Sequence, residues 1–110
     1  MLLVSHGGTI LHPMRIIANS HLRMFWQKFP DAEQALKSWV DEVRHATWNR
    51  PADIKDQYRN ASFLKNRRVV FNIKGNDYRL VAAVRYDRGL MYVRFIGSHR
   101  QYDRIDVETI

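Results

Sequence analysis

The chain has 110 residues, 45% of them hydrophobic and 12% aromatic, enough for one packed core and too few for two. It carries no cysteine, which excludes disulfides, thiolate metal sites and a cysteine nucleophile and makes the cytoplasm the default compartment. The formal net charge is +7, and no apolar run approaches the roughly 18 residues of a membrane span, so a soluble chain with a polyanionic partner is expected.

Residues 1–13 (MLLVSHGGTILHP) lack charge, periodicity and a capping pattern, and a second methionine, Met14, follows them directly. They read as a disordered extension ahead of a single domain over 14–110. His6, Gly7 and Gly8 form no nucleotide motif, and His6 with His12 is too sparse for a metal, so neither a metal nor a cofactor is expected. Met14 to Ala18 reads as a short strand, after which Asn19 or Ser20 can cap a helix. Leu22, Phe25, Trp26 and Phe29 then recur at the spacing of one buried helical stripe, ended by Pro30. Asp31 with Gln34 resembles a capping box for a second helix, whose stripe is Ala32, Ala35, Leu36, Trp39, Val40 and Val43. Both tryptophans are read as packing.

Asn49-Arg50-Pro51 breaks the pattern, and Pro51 can open a short helix over Asp53 to Tyr58. A loop through Asn60 and Ser62 follows. The period then becomes extended: Arg67 to Lys74, a turn at Gly75-Asn76-Asp77, Tyr78 to Asp87, a turn at Arg88-Gly89, and Leu90 to Ser98. This is a three-stranded antiparallel meander. Val69, Phe71, Ile73, Leu80, Ala82, Val84, Met91, Val93 and Phe95 make one apolar face for the helices to cover. The fold class is therefore α+β, with two N-terminal helices packed on an antiparallel sheet.

The opposite face carries Val70, Asn72, Lys74, Arg79, Val81, Ala83, Arg85, Tyr92, Arg94, Ile96 and Ser98 and reads as a shallow basic groove. Charge supports that address. Residues 14–58 hold seven basic and six acidic groups, residues 59–104 hold eleven and three, and residues 105–110 hold two acidic ones. Such concentration suits RNA, because each neutralised phosphate releases counterions. A merely solvated basic surface is the alternative.

RNA can be cut without a metal if the 2′-hydroxyl is directed onto the neighbouring phosphorus. That needs a base, an acid for the departing 5′ oxygen, and a fixed cation for the phosphorane. Arg79 is the candidate cation, since a guanidinium holds phosphate oxygens in two directions; a strand-end pair with Asp77 is the competing role. His99, directly after the last strand, is the candidate proton carrier. Tyr102 can stack on a base, give a proton or pack on the sheet edge. Lys65, Asn72, Lys74, Asn76, Arg85, Arg94 and Arg100 are candidate RNA contacts.

The stretches Val70-Phe71-Asn72-Ile73-Lys74-Gly75-Asn76-Asp77-Tyr78-Arg79-Leu80-Val81-Ala82 and Phe95-Ile96-Gly97-Ser98-His99-Arg100-Gln101-Tyr102-Asp103-Arg104-Ile105 resemble the HigB toxins of the RelE/ParE superfamily. The resemblance covers roughly residues 14–106. It favours the HigB branch: Val70 and Asn72 stand where RelE has lysines, and His99 stands about where RelE has an arginine. It implies a RelE-like fold, ribosome-dependent cleavage of messenger RNA, and neutralisation by a HigA-like helix-turn-helix antitoxin through which alone operator DNA would be reached. Which residue is base and which acid stays open. A ParE-like gyrase inhibitor that leaves RNA untouched and a plain RNA-binding domain are the alternatives, because one scaffold hosts several activities.

Overall fold

The computed structural model describes residues 13–110 and, ahead of them, the backbone of two short strands, β1 (Leu3–Val4) and β2 (Ile10–Leu11), which pair antiparallel. The other positions of the expected extension, His6 and His12 included, lie outside the described residues.

The domain begins with β3 (Arg15–Ile17) and passes straight into α1 (Asn19–Lys28). The expected Asn19 or Ser20 cap does not form. Ala18 takes the cap position in a left-handed conformation, φ 74°, so no extended residue is left to aim a side chain at the first turn. A 3₁₀ turn, Pro30–Ala32, separates α1 from α2 (Glu33–His45), and here too the expected cap is absent. Asp31 lies inside that turn and bonds outward instead, accepting from the Tyr78 hydroxyl at 2.7 Å and the Lys74 ammonium at 3.0 Å. The α2 stripe is as read, with Leu36, Trp39 and Val43 buried. On α1 only Leu22 is fully buried. Phe25 and Phe29 stack at 4.7 Å near Tyr78, and Trp26 is half-buried beneath the Lys37 ammonium.

Pro51 opens α3 (Pro51–Gln57). The loop after it contains a two-residue strand, β4 (Ser62–Phe63), too short to leave a periodic signal. The meander follows as β5 (Arg68–Ile73), β6 (Tyr78–Arg85) and β7 (Leu90–Ser98), then a single helical turn, α4 (His99–Tyr102). Lys74 and Gly75, both at positive φ, close the first hairpin, and Gly89, also at positive φ, ends the second turn.

The sheet order is β3-β7-β6-β5-β4. Four strands are antiparallel to their neighbours within the β7 to β4 run, but β3 lies parallel to β7, pairing Arg15 to Ile17 with Leu90 to Tyr92. Helices α1, α2 and α3 cover one face of this mixed sheet. Trp39 meets Phe71 edge-on at 5.3 Å and Tyr58 meets Phe71 at 5.2 Å, joining α2 and the end of α3 to β5. The Tyr58 hydroxyl, its pKa pushed well up by burial and then by its bond to Glu42, ties that edge to α2.

Two features of the sheet depart from strict alternation. A bulge between β6 and β7 pairs Val81 with Phe95 but Ala82 with Val93, so Arg94 is the extra residue. Beyond it the faces exchange. Ile96 packs against the core, while Phe95, expected in the core, turns to the opposite face. That opposite face is also not the open groove anticipated. Val70, Val81 and Ala83 on it are buried, yet stand apart from the main core cluster. The chain after α4 covers them. It leaves α4 at Asp103 and reaches the start of β5, where Asn66 donates to the Glu108 carbonyl at 2.9 Å and Arg68 donates to the Ile110 carbonyl. Ile105, Val107 and Ile110 are half-buried along the way.

Candidate active site

The covering segment divides the second face into two ends. At one end Asn72, Arg79 and Gly97 lie abreast on β5, β6 and β7. Gly97 presents no side chain opposite Arg79, and α4 settles into that space. A Cβ on Gly97 would stand 2.6 Å from the Gln101 Oε1 and 2.7 Å from the Phe95 Cζ. Gln101 is held there by a reciprocal capping box: the Ser98 hydroxyl accepts from the Gln101 backbone N–H, and the Gln101 side chain accepts from the Ser98 N–H. The box fixes the one-turn helix, and the helix fixes His99 and Tyr102.

Three of the expected residues meet here. The Arg79 Nε donates to the His99 Nε2 at 3.4 Å, and the Arg79 guanidinium carbon lies 4.9 Å from the centre of the Tyr102 ring. Tyr102 leans on Phe95 at 6.4 Å. Arg79 makes no ion pair among the described residues, and Asp77 is engaged by Lys74 at 3.5 Å instead. An arginine stacked on a tyrosine and free of carboxylates keeps its remaining N–H groups available to an anion. Because Nε2 of His99 accepts from Arg79, the neutral imidazole carries its proton on Nδ1. The cluster therefore combines a cation, an imidazole and a pair of aromatic rings.

Asn72 borders the cluster and also lines a cavity of about 310 Å³ with Arg59, Asn60 and Gly75. Arg59 and Asn60 have no pattern in the sequence to mark them as candidates. The other candidates lie elsewhere. Lys74 turns away in its left-handed conformation and pairs with Asp31 and Asp77, its pKa raised first by the hydrogen bond to Asp31. Asn76 is exposed in the hairpin turn, and Arg100 projects from α4 into solvent. Arg85 and Arg94 belong to the far end of the face, and Lys65 is exposed in the turn before β5. Among the described residues, no three of His, Asp and Glu come together as metal ligands.

Residues 32–105 match the HigB toxin family, described as the RelE-like toxic component of a toxin–antitoxin system. The chain belongs to this family. It is 25% identical over 92 residues to the mRNA interferase toxin HigB of Escherichia coli strain K12, covering 82% of this chain and 88% of the relative. It is equally similar to the mRNA interferase HigB of Shigella flexneri, and 23% identical over 94 residues to that of Escherichia coli O6:H1, covering 84% of this chain and 91% of the relative. The RelE-like fold is the α+β architecture described above. As the toxic component of such a system, the HigB-family chain has an antitoxin as its partner. No helix among the described residues is long and apolar enough to cross a membrane.

Proposed function

We propose that this HigB-family toxin is an endoribonuclease that cuts messenger RNA through attack of the 2′-hydroxyl on the adjacent phosphorus, leaving a 2′,3′-cyclic phosphate and a 5′-hydroxyl. The observation that carries this reading is the contact of Arg79 with His99 at 3.4 Å, beside the Tyr102 ring. Arg79 holds the non-bridging oxygens as negative charge develops on the phosphorane, a role worth roughly 10² to 10³ in rate when a comparable donor is removed. His99 takes the 2′-hydroxyl proton or gives one to the departing 5′ oxygen, with water completing the other transfer, a contribution worth roughly 10² to 10⁴. Tyr102 and Phe95 position the base, and Asn72 the neighbouring phosphate or sugar. No step in this scheme calls for a metal.

The relatives named mRNA interferase support messenger RNA as substrate. Cleavage on the ribosome, a cytoplasmic location and a HigA-like helix-turn-helix antitoxin that alone touches operator DNA complete the proposal. Mapping transcript ends after induction tests it. New 5′-hydroxyl ends are expected with the wild-type chain and none with Arg79→Ala or His99→Ala, both of which should keep their circular dichroism spectrum. Growth arrest with no new ends and with gyrase inhibited would replace this reading with the ParE-like one.

A further inference from the structure

A histidine that works as a general base is ordinarily oriented by a third group on its far ring nitrogen, which leaves the near nitrogen free for the substrate. His99 is held the other way round. Among the described residues the only histidine beside a carboxylate is His45, and the side-chain bond to the His99 ring comes from Arg79, whose Nε donates to Nε2 at 3.4 Å. That bond selects the Nδ1–H tautomer and at the same time covers the lone pair which this tautomer leaves on Nε2. A neutral imidazole has no second lone pair, so in the free protein His99 has nothing with which to take a proton. The imidazolium does not fit this contact either. A protonated Nε2 cannot accept from Arg79, and two cations would face each other.

The same arginine supplies the release. A guanidinium presents its donors as forks, and the fork that includes Nε is incomplete while Nε serves His99. The 3.4 Å bond joins it to an uncharged ring and is long. An arginine N–H on a phosphate oxygen closes to about 2.7 to 2.9 Å and is roughly twice as strong as a bond between neutral groups. A phosphodiester first met by the Nη donors therefore completes the fork by displacing the imidazole from Nε. The Tyr102 ring, its centre 4.9 Å from the guanidinium carbon, holds the group by its face and leaves the in-plane donors free to change partner. The capping box of Ser98 and Gln101 fixes the backbone of His99, so the uncovered Nε2 stays beside the phosphate that replaced it.

We propose that His99 is the base of the cleavage, working through Nε2, and that Arg79 masks that atom until a phosphodiester takes its place. This deepens the RNA-cleaving reading and rests on it. In the step, the 2′-hydroxyl proton passes to Nε2, the 2′ oxygen bonds to phosphorus, and the bond from phosphorus to the 5′ oxygen breaks. Water protonates the 5′ oxygen, and the hydroxide so formed takes the proton back from the imidazolium. Leaving-group chemistry separates base from acid. Messenger RNA on the ribosome is given, at a cut position taken from the mapped transcript ends, either its natural 5′ oxygen or a bridging 5′ sulfur, which departs without a proton. His99→Ala should lose roughly 10² to 10⁴ in rate on the oxygen substrate and the same factor on the sulfur one. Recovery on the sulfur substrate to near the wild-type rate would make His99 the acid and overturn the proposal. The mask is read from the ring-nitrogen signals of isotope-labelled histidine, at a pH where the ring is uncharged. The free wild-type chain should carry the His99 proton on Nδ1, Arg79→Ala should show both tautomers, and a short single strand with every 2′-hydroxyl replaced by hydrogen should move the wild-type Nε2 signal. A proton on Nε2 in the free chain, or an Nε2 signal that stays put while the bound strand shifts the Tyr102 amide, would sink the mask. A wild-type chain that cuts neither substrate, or a cluster that no strand perturbs, would instead remove the cleavage reading, and the base with it.

Discussion

Gly97 controls the cluster without taking part in its chemistry. It lies opposite Arg79, and the volume its missing Cβ vacates is taken up by the Gln101 and Phe95 side chains, both tied into the α4 arrangement. In Gly97→Ala both neighbours must give, at a cost of about 1 to 3 kcal/mol typical of overpacking. Because α4 carries His99 and Tyr102, its displacement should lower cleavage about 100-fold, the penalty of a reacting group misplaced by an ångström. Initial rates on a model RNA, set beside a melting curve, check this; full activity in the variant would mean that α4 is not held through Gly97.

Asp31 offers a second expectation at this scale. The Tyr78 hydroxyl, and then Lys74, hold its carboxyl below the ordinary carboxylate range. A depressed folded-state pKa contributes stability above the unfolded value, and that contribution is lost as pH falls through the folded value. Asp31→Asn should therefore melt below the wild type at neutral pH, with the gap closing below about pH 4. Since Asp31 and Lys74 are both substantially exposed, the gap should be small and should shrink with salt. A gap that persists unchanged into acid would show that the Asp31 contacts act through packing and not through charge.

Among the elements, the segment after α4 does more than trail from the last helix. Its ends are fixed at α4 and at Arg68, and beneath it lie Val70, Val81 and Ala83. Removing residues 106–110 should bare these side chains, lower the melting temperature and raise the binding of a hydrophobic dye. An unchanged melting temperature would mean that something other than this segment buries them.

Much at this scale is readable from periodicity. The α2 stripe, the Pro51 helix start and the two hairpin turns each have a local physical signature, and each stands where expected. Three features have none. A bulge inserts Arg94 without disturbing the local alternation, so Phe95 reads as core until its partner is known to be Val81. The parallel pairing of β3 depends on residues some 75 positions apart in sequence. The covering segment contains only Ile105, Val107 and Ile110 as apolar residues, too few to announce an element. At the site, Arg79, His99 and Tyr102 are legible because each brings a distinctive chemistry. The reciprocal cap leaves a fainter trace. Ser98 and Gln101 stand at the spacing of a capping box, but a helix of one turn adds no periodicity to draw the eye to them.

Taken whole, the molecule places its basic excess at two ends of one face and α1, α2 and α3 on the other. Charge counted along the sequence locates the half of the chain involved, but cannot see that the covering segment divides it. The architecture also has a consequence in time. The first strand of the described domain, β3, finds its partner only in β7, the last strand. Contacts of such long sequence separation close late, after the loop entropy between them has been overcome. His99 and Tyr102 follow immediately after β7, so the residues assigned to the chemistry are also among the last to be synthesised. A nascent chain of this design cannot assemble the Arg79, His99 and Tyr102 cluster until nearly the whole described domain has emerged.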